Sequence, residues 1–142
     1  MILIDVNILV YAVNKDAPQH SRAQSWLETA VTGTETIGIP WIVLLAFLRL
    51  TTRPGLFRNP LRIGTAFDLI DLWLEQSSVS IIHPGPRHGT ILRELLELLG
   101  TGGNLTADAH LAALALENRA TLYSSDHDFL RFPGVKWRNP LA

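Results

Sequence analysis

Three aspartates, Asp5, Asp108 and Asp126, stand far apart in the chain but carry side chains suited to one shared task. Carboxylate oxygens are the natural ligands of Mg²⁺ and Mn²⁺, hard cations that keep several waters and bind phosphate groups. A cation held this way polarises a phosphoryl oxygen and acidifies a bound water, so that hydroxide can attack a phosphodiester. Carboxylates gathered without a cation repel one another, and their pKa values rise. Each residue also has a plain structural use. Asp5 can cap the turn after an apolar run. Asp108 lies early in a predicted helix, where an acid gains roughly 0.3–1 kcal/mol from the dipole. Asp126 and Asp128 fit an Asx-capped turn in Ser124-Ser125-Asp126-His127-Asp128. Joint use is favoured by where the surrounding elements would place the three.

Ile2-Leu3-Ile4 is a short apolar, β-branched run, the mark of a buried parallel strand. Ile37-Gly38-Ile39, Val79 to Ile82, Thr121-Leu122-Tyr123 and Val135-Lys136-Trp137 are further strand candidates. Between them lie helical stripes. Ala23, Trp26, Leu27 and Ala30 share one face of a helix over residues 20–31. Pro40 opens a helix over residues 41–50. Ala66, Ile70 and Trp73 mark another helix, and Leu92, Leu95, Leu96 and Leu99 a fourth, stopped by Gly100, Gly102 and Gly103. Thr106 is the expected N-cap of a helix carrying Ala107, Leu111, Leu114 and Ala115. Such alternation predicts an α/β fold of three layers, a mainly parallel central sheet with helices on both faces. Open sheets of this kind place their sites beyond the carboxyl ends of the strands. Asp5 and Asp126 directly follow two strands, and the start of the Asp108 helix can face the same edge.

With 142 residues, of which 47% are hydrophobic and 18% charged, residues 1–142 are expected to form one domain with a real core. Absence of cysteine excludes a disulfide framework and thiolate metal sites. The longest apolar run, from Trp41 to Leu48, ends at Arg49 and is far short of the ~20 residues of a membrane span. No basic segment precedes Ile2-Leu3-Ile4, so a signal peptide is not expected and a cytoplasmic location is. A net charge of −1 does not favour nucleic-acid binding by bulk charge, and leaves that to a metal or to clustered arginines.

Three segments carry a resemblance. Asp5-Val6-Asn7-Ile8-Leu9-Val10-Tyr11-Ala12 resembles the opening motif of PIN domains, and Leu105-Thr106-Ala107-Asp108-Ala109-His110-Leu111-Ala112-Ala113-Leu114-Ala115 their central acidic helix. Ser124-Ser125-Asp126-His127-Asp128-Phe129 resembles their terminal acidic turn, and the tail from Arg131 to Leu141 is similar to the end of VapC-type toxins. The resemblance spans essentially the whole chain and implies a PIN-like α/β/α fold. It further implies an Mg²⁺- or Mn²⁺-dependent endoribonuclease silenced by a cognate antitoxin. Asp5 and Asp108 would bind metal directly, and Asp126 would bind a second ion or hold the water network. Asn7, Ser124 and Asp128 would be supporting polar groups. One departure stands out: Leu45-Ala46-Phe47-Leu48-Arg49 keeps the family's arginine but has Ala46 where a glutamate is usual. No acid occurs between Pro40 and Ala66, which weakens a second ion more than a first.

Arg49, Arg53, Arg58 and Arg62 offer contacts to RNA phosphates or to an acidic antitoxin tail, although a solvated face explains them as well. Trp41, Trp73 and Trp137 fit core or interface packing better than base stacking. His88 and His110 are expected to be structural; His110, two residues after Asp108, points away from it on a helix. Several apolar faces make a homodimer an expected assembly, and an antitoxin helix can occupy a groove. Two rivals remain. One is a phosphohydrolase on DNA or small esters, although a haloacid-dehalogenase-type phosphatase needs an Asp where Asn7 stands. The other is a degenerate PIN domain that holds RNA or antitoxin without cutting, which Ala46 favours.

Overall fold

The computed structural model describes residues 1–142. Its strands are β1 (Ile2–Ile4), β2 (Ile37–Pro40), β3 (Val79–Ile82), β4 (Thr121–Tyr123) and β5 (Lys136–Arg138). They form one five-stranded sheet in the order β3-β2-β1-β4-β5. Every pairing is parallel, so the expected mainly parallel sheet is wholly so. All residues of β1 and β2 are buried, which is why they read as unbroken apolar runs without alternation. β5 lies at an edge and shows Lys136 and Arg138 to solvent, charges that discourage pairing with another chain.

Six helices cover the sheet: α1 (Val6–Val13), α2 (His20–Thr32), α3 (Trp41–Thr52), α4 (Ile63–Glu75), α5 (His88–Leu99) and α6 (Thr106–Glu117). α1 packs on α2 and α3, α3 on α4, and α5 on α6. The first of these is absent from the sequence reading. Ile8, Leu9, Val10 and Ala12 are all buried, so α1 has no polar face to impose a helical period. Its start is fixed by Asp5, whose side chain accepts a hydrogen bond from the Val6 N–H at 2.8 Å.

Thr106 also differs from expectation. A 3-10 turn (Gly103–Leu105) feeds directly into α6, and Leu105 occupies the cap position without a side-chain bond. Thr106 is the first helical residue, and its hydroxyl donates to the Gly103 carbonyl at 3.0 Å. α5 begins ahead of its leucine stripe because the Gly85 and Arg87 N–H groups donate to the Glu117 carboxylate of α6, at 2.7 and 3.0 Å. Gly100 ends α5 in the left-handed region at φ 76°, which glycine adopts without penalty.

Chain order and sheet order diverge at β1. β2 and β3 lie to one side of it, β4 and β5 to the other. The neighbouring ends of β1 and β4 therefore open a crevice at the carboxyl edge, the place where ligands of such sheets bind. Ile4 pairs with Tyr123, so Asp5 and Ser124 leave the sheet side by side. On the other flank, Gly38 of β2 leaves room for Ile82: a Cβ there would stand 2.9 Å from the Ile82 Cγ2. Gly38→Ala is expected to lower stability by about 1–3 kcal/mol through this overpacking. Urea unfolding measures it, and an unchanged midpoint would contradict the close approach.

Candidate metal centre

Ser124 is the hub of the carboxyl edge. It is fully buried. Its hydroxyl donates to Asp5 Oδ2 at 2.6 Å and accepts from Asn7 Nδ2 at 3.1 Å and from the Asp126 N–H at 3.0 Å. Asn7 Nδ2 also reaches Asp5 Oδ2 at 3.3 Å, and Asn7 Oδ1 accepts from the Ser125 N–H at 3.2 Å. These bonds tie the start of α1 to the segment after β4, and the Asp5 N–H adds a backbone link to the Tyr123 carbonyl at 3.0 Å. Both oxygens of Asp5 are thereby engaged, Oδ1 by Val6 and Oδ2 by Ser124 and Asn7. The residue is oriented, not free to swing.

Asp126 caps a 3-10 turn (His127–Arg131) and accepts from the Asp128 N–H at 2.9 Å. This Asx turn folds Asp128 back beside Asp126. Carboxylate oxygens of Asp108, Asp126 and Asp128 come within 4.8 Å of one another. Asp128, expected as a supporting polar group, thus stands within the acid cluster, and its signal in the sequence is the two-residue spacing within the capped turn. Asp5 lies next to this trio, near enough to act on its charges. Burial pushes the Asp108 carboxyl up to about 6, helped by the charges of Asp126, Asp5 and Asp128. Burial also raises the Asp5 pKa, with a smaller push from Asp126, while the bonds from Ser124 and Val6 pull it back. An all-oxygen donor set with excess negative charge suits a hard divalent cation such as Mg²⁺ or Mn²⁺.

A cavity of about 340 Å³ opens beside these acids, lined by Asp5, Asp108 and Leu111 on one side and by Ile42, Ala46 and Arg49 of α3 on the other. Ala46 therefore lines the cavity with a methyl group, at the position where the resemblance led to the expectation of a glutamate. Arg53, Arg58 and Arg62 are exposed and lie outside this cavity. His88 and His110 bond each other, Nε2 to Nδ1 at 2.9 Å, joining α5 to α6. Burial, then the neighbouring His88, lowers the His110 pKa. Trp73 packs edge-on against Phe47 at 5.0 Å, and Trp137 lies against the core, whereas Trp41 is 44% exposed.

A wholly parallel sheet with acids at its switch point defines the class: the PIN domain family matches residues 2–135, and the chain belongs to it. Relatives narrow the placing. The chain is 45% identical over 142 residues to ribonuclease VapC37 of Mycobacterium tuberculosis, covering 100% of this chain and 99% of the relative. Identity to ribonuclease VapC33 of the same species is 42% over 141 residues, 99% of each. Among solved structures, VapBC2 from Rickettsia felis, bound to a promoter DNA fragment, matches with a TM-score of 0.72 and 27% identity over 98% of both chains. Mycobacterium tuberculosis VapC20 shares the fold at a TM-score of 0.67 and 19% identity, over 96% of this chain and 99% of its own. Within the PIN domains, this chain is of the VapC type.

Two outcomes follow from the charge balance at the edge. Because the Asp108 pKa is raised from 3.8 to about 6, the folded state holds that proton more tightly than the unfolded state. Metal-free protein therefore loses stability as pH climbs from 3.8 to about 6 and loses no more on this account above it. Asp108→Asn removes the repulsion, so it is expected to raise the metal-free Tm at pH 7 and flatten this slope; a lower Tm would contradict the account. Ser124→Ala strips Asp5 and the Asp126 N–H of a partner. A loss of about 1–3 kcal/mol is expected in denaturant unfolding.

Proposed function

We propose that this chain is a divalent-cation-dependent endoribonuclease, the toxin of a toxin–antitoxin pair. One observation carries the reading: Asp108, Asp126 and Asp128 converge within 4.8 Å at the switch point of a PIN fold, beside an Asp5 fixed by three donors. Asp5, Asp108 and Asp126 are assigned as ligands, with Asn7 and Ser124 as the groups that orient Asp5 and the Asp126 turn, and Asp128 as a supporting acid within the cluster. Mg²⁺ or Mn²⁺, when bound, supplies Lewis acidity and an acidified water. The chain's own residues do the rest. Ser124 and Asn7 hold Asp5 in one rotamer, and the bond from the Asp126 N–H to Ser124 sets the position of the turn. Asp108, ionised above about 6, is available as a ligand at neutral pH.

RNA is the assigned substrate because VapC37 and VapC33, relatives over nearly the full chain, are ribonucleases. An antitoxin protein is the assigned partner, by likeness to the VapBC2 complex. No helix is long and apolar enough to cross a membrane. The location we assign, the cytoplasm, rests on the toxin reading and its RNA substrate. A homodimer is the assembly we assign. It is supported by Trp41 and Leu45 of α3 and Ile63 and Phe67 of α4, large apolar side chains left exposed at one-turn spacing. The methyl group of Ala46 keeps a second reading in play, a domain that binds RNA or antitoxin without cutting.

RNA cleavage by the purified full chain, with Mn²⁺ or with a chelator, separates these. Cutting is expected with Mn²⁺ alone, at sites that sequencing can map, together with a Mn²⁺-dependent rise in Tm that weakens below about pH 6 as protons compete for Asp108. Asp5→Ala and Asp126→Asn are each expected to lower the rate by at least ~10²-fold, the scale of lost metal activation. Cleavage that persists unchanged in both variants would remove the assigned site. RNA binding without cleavage would establish the second reading.

A further inference from the structure

One face of α3 looks onto the acid cavity, and its side chains there are Ile42, Val43, Ala46 and Arg49. Ile42, Ala46 and Arg49 fall at i, i+4 and i+7, a single helical stripe. With Ala46 uncharged, Arg49 is the only charged group that α3 brings to this cavity, which Asp5 and Asp108 also line. It is also unpaired. The ion pairs of the chain join Met1 to Glu35, Arg93 to Glu97 and Arg131 to Asp128, and none uses Arg49. Nor is there an acid between residues 40 and 66 to claim it. Arg49 is exposed, and a free guanidinium on the rim of a cavity bordered by carboxylates has an evident complement: an anionic group that offers two acceptor oxygens to the fork and is drawn to the metal side as well. A phosphodiester meets that description, with two non-bridging oxygens matched to the guanidinium fork.

We propose that Arg49 binds the non-bridging oxygens of the RNA phosphate to be cut, taking the positive-charge role that a second cation would have opposite a carboxylate at position 46. This rests on the nuclease reading and makes it more specific: one cation on the aspartates, one guanidinium on α3. Position in the last turn of α3 also gives Arg49 a favourable interaction with the helix dipole, so a purely structural use is the alternative that the test must separate.

The test uses the full chain, Mn²⁺, and a fluorescent single-stranded RNA pool of randomised sequence. Three readouts are taken: RNA affinity in Ca²⁺, Mn²⁺ stoichiometry by electron paramagnetic resonance, and single-turnover cleavage in Mn²⁺. Arg49→Ala is expected to slow cleavage by about 10²–10³-fold, the scale of one lost donor to a developing anion. RNA affinity in Ca²⁺ should fall about tenfold or more, while Mn²⁺ binding and Tm stay as in the wild type. Arg49→Lys should recover part of the affinity and little of the rate, since it keeps the charge but not the fork. Ala46→Glu should raise the Mn²⁺ count from a single ion to a pair and make the same Arg49→Ala change less costly. Wild-type affinity in Arg49→Ala, a drop in its Mn²⁺ binding or Tm that accounts for its slower cleavage, or a pair of ions already present in the wild type would each overturn the proposal. A wild type that cuts no RNA would fail the nuclease reading instead, and the affinity readout would still decide whether Arg49 holds phosphate.

Discussion

Like charges brought together at the carboxyl edge of the sheet are the constraint around which the rest of this protein is arranged. Asp5, Asp108, Asp126 and Asp128 come from three separate parts of the chain, and burial, reinforced by their mutual repulsion, holds the Asp108 pKa near 6. Such a cluster persists only because other interactions over-determine it. Backbone pairing of β1 with β4 fixes where Asp5 and Ser124 emerge. The Ser124 hydroxyl then joins Asp5, Asn7 and the Asp126 N–H into one network. Because Ser124 is buried, these bonds are made away from competing water, where a satisfied network is stiff and a broken one costly.

Stability and chemistry pull in opposite directions at this edge. Burial of Asp5 and Asp108 costs ionisation energy that a solvated surface would not exact. A cation is the natural relief, since it replaces repulsion with attraction and needs the carboxylates ionised. Neutral substitutes would make a more comfortable fold and a poorer site, which is the usual relation between stability and function.

A net charge of −1 conceals a division of labour in space. The acids gather after β1 and β4 and at the start of α6. The segment from Pro40 to Ala66 holds arginines and no acid. Ala46 falls on the boundary between them. With no carboxylate there, Arg49 is the one charge that α3 adds to a cavity otherwise bordered by the acids Asp5 and Asp108, a polarity that bulk composition averages away.

Much of this was legible in the sequence. Buried strands announced themselves as unbroken apolar runs, and their alternation with helical stripes forced a parallel α/β sheet. Strand ends followed by Asp5 and by Ser124-Ser125-Asp126 point to the carboxyl edge. The motifs tied Ala46 to a missing acid. What stayed hidden had physical causes. α1 has no polar face, so no period betrayed it. Thr106 has cap chemistry, but a preceding 3-10 turn took the position. Asp128 and Arg49 were legible as candidates, a supporting acid and one of four arginines open to RNA phosphates, but only packing brings the first within 4.8 Å of Asp108 and Asp126 and sets the second, alone of the four, on the cavity that Asp5 and Asp108 line. Residue type and spacing determine which groups can ionise, ligate or cap, because those are local properties of the chain. Which of them meet depends on strand order and helix packing, long-range choices settled by the burial of the whole core.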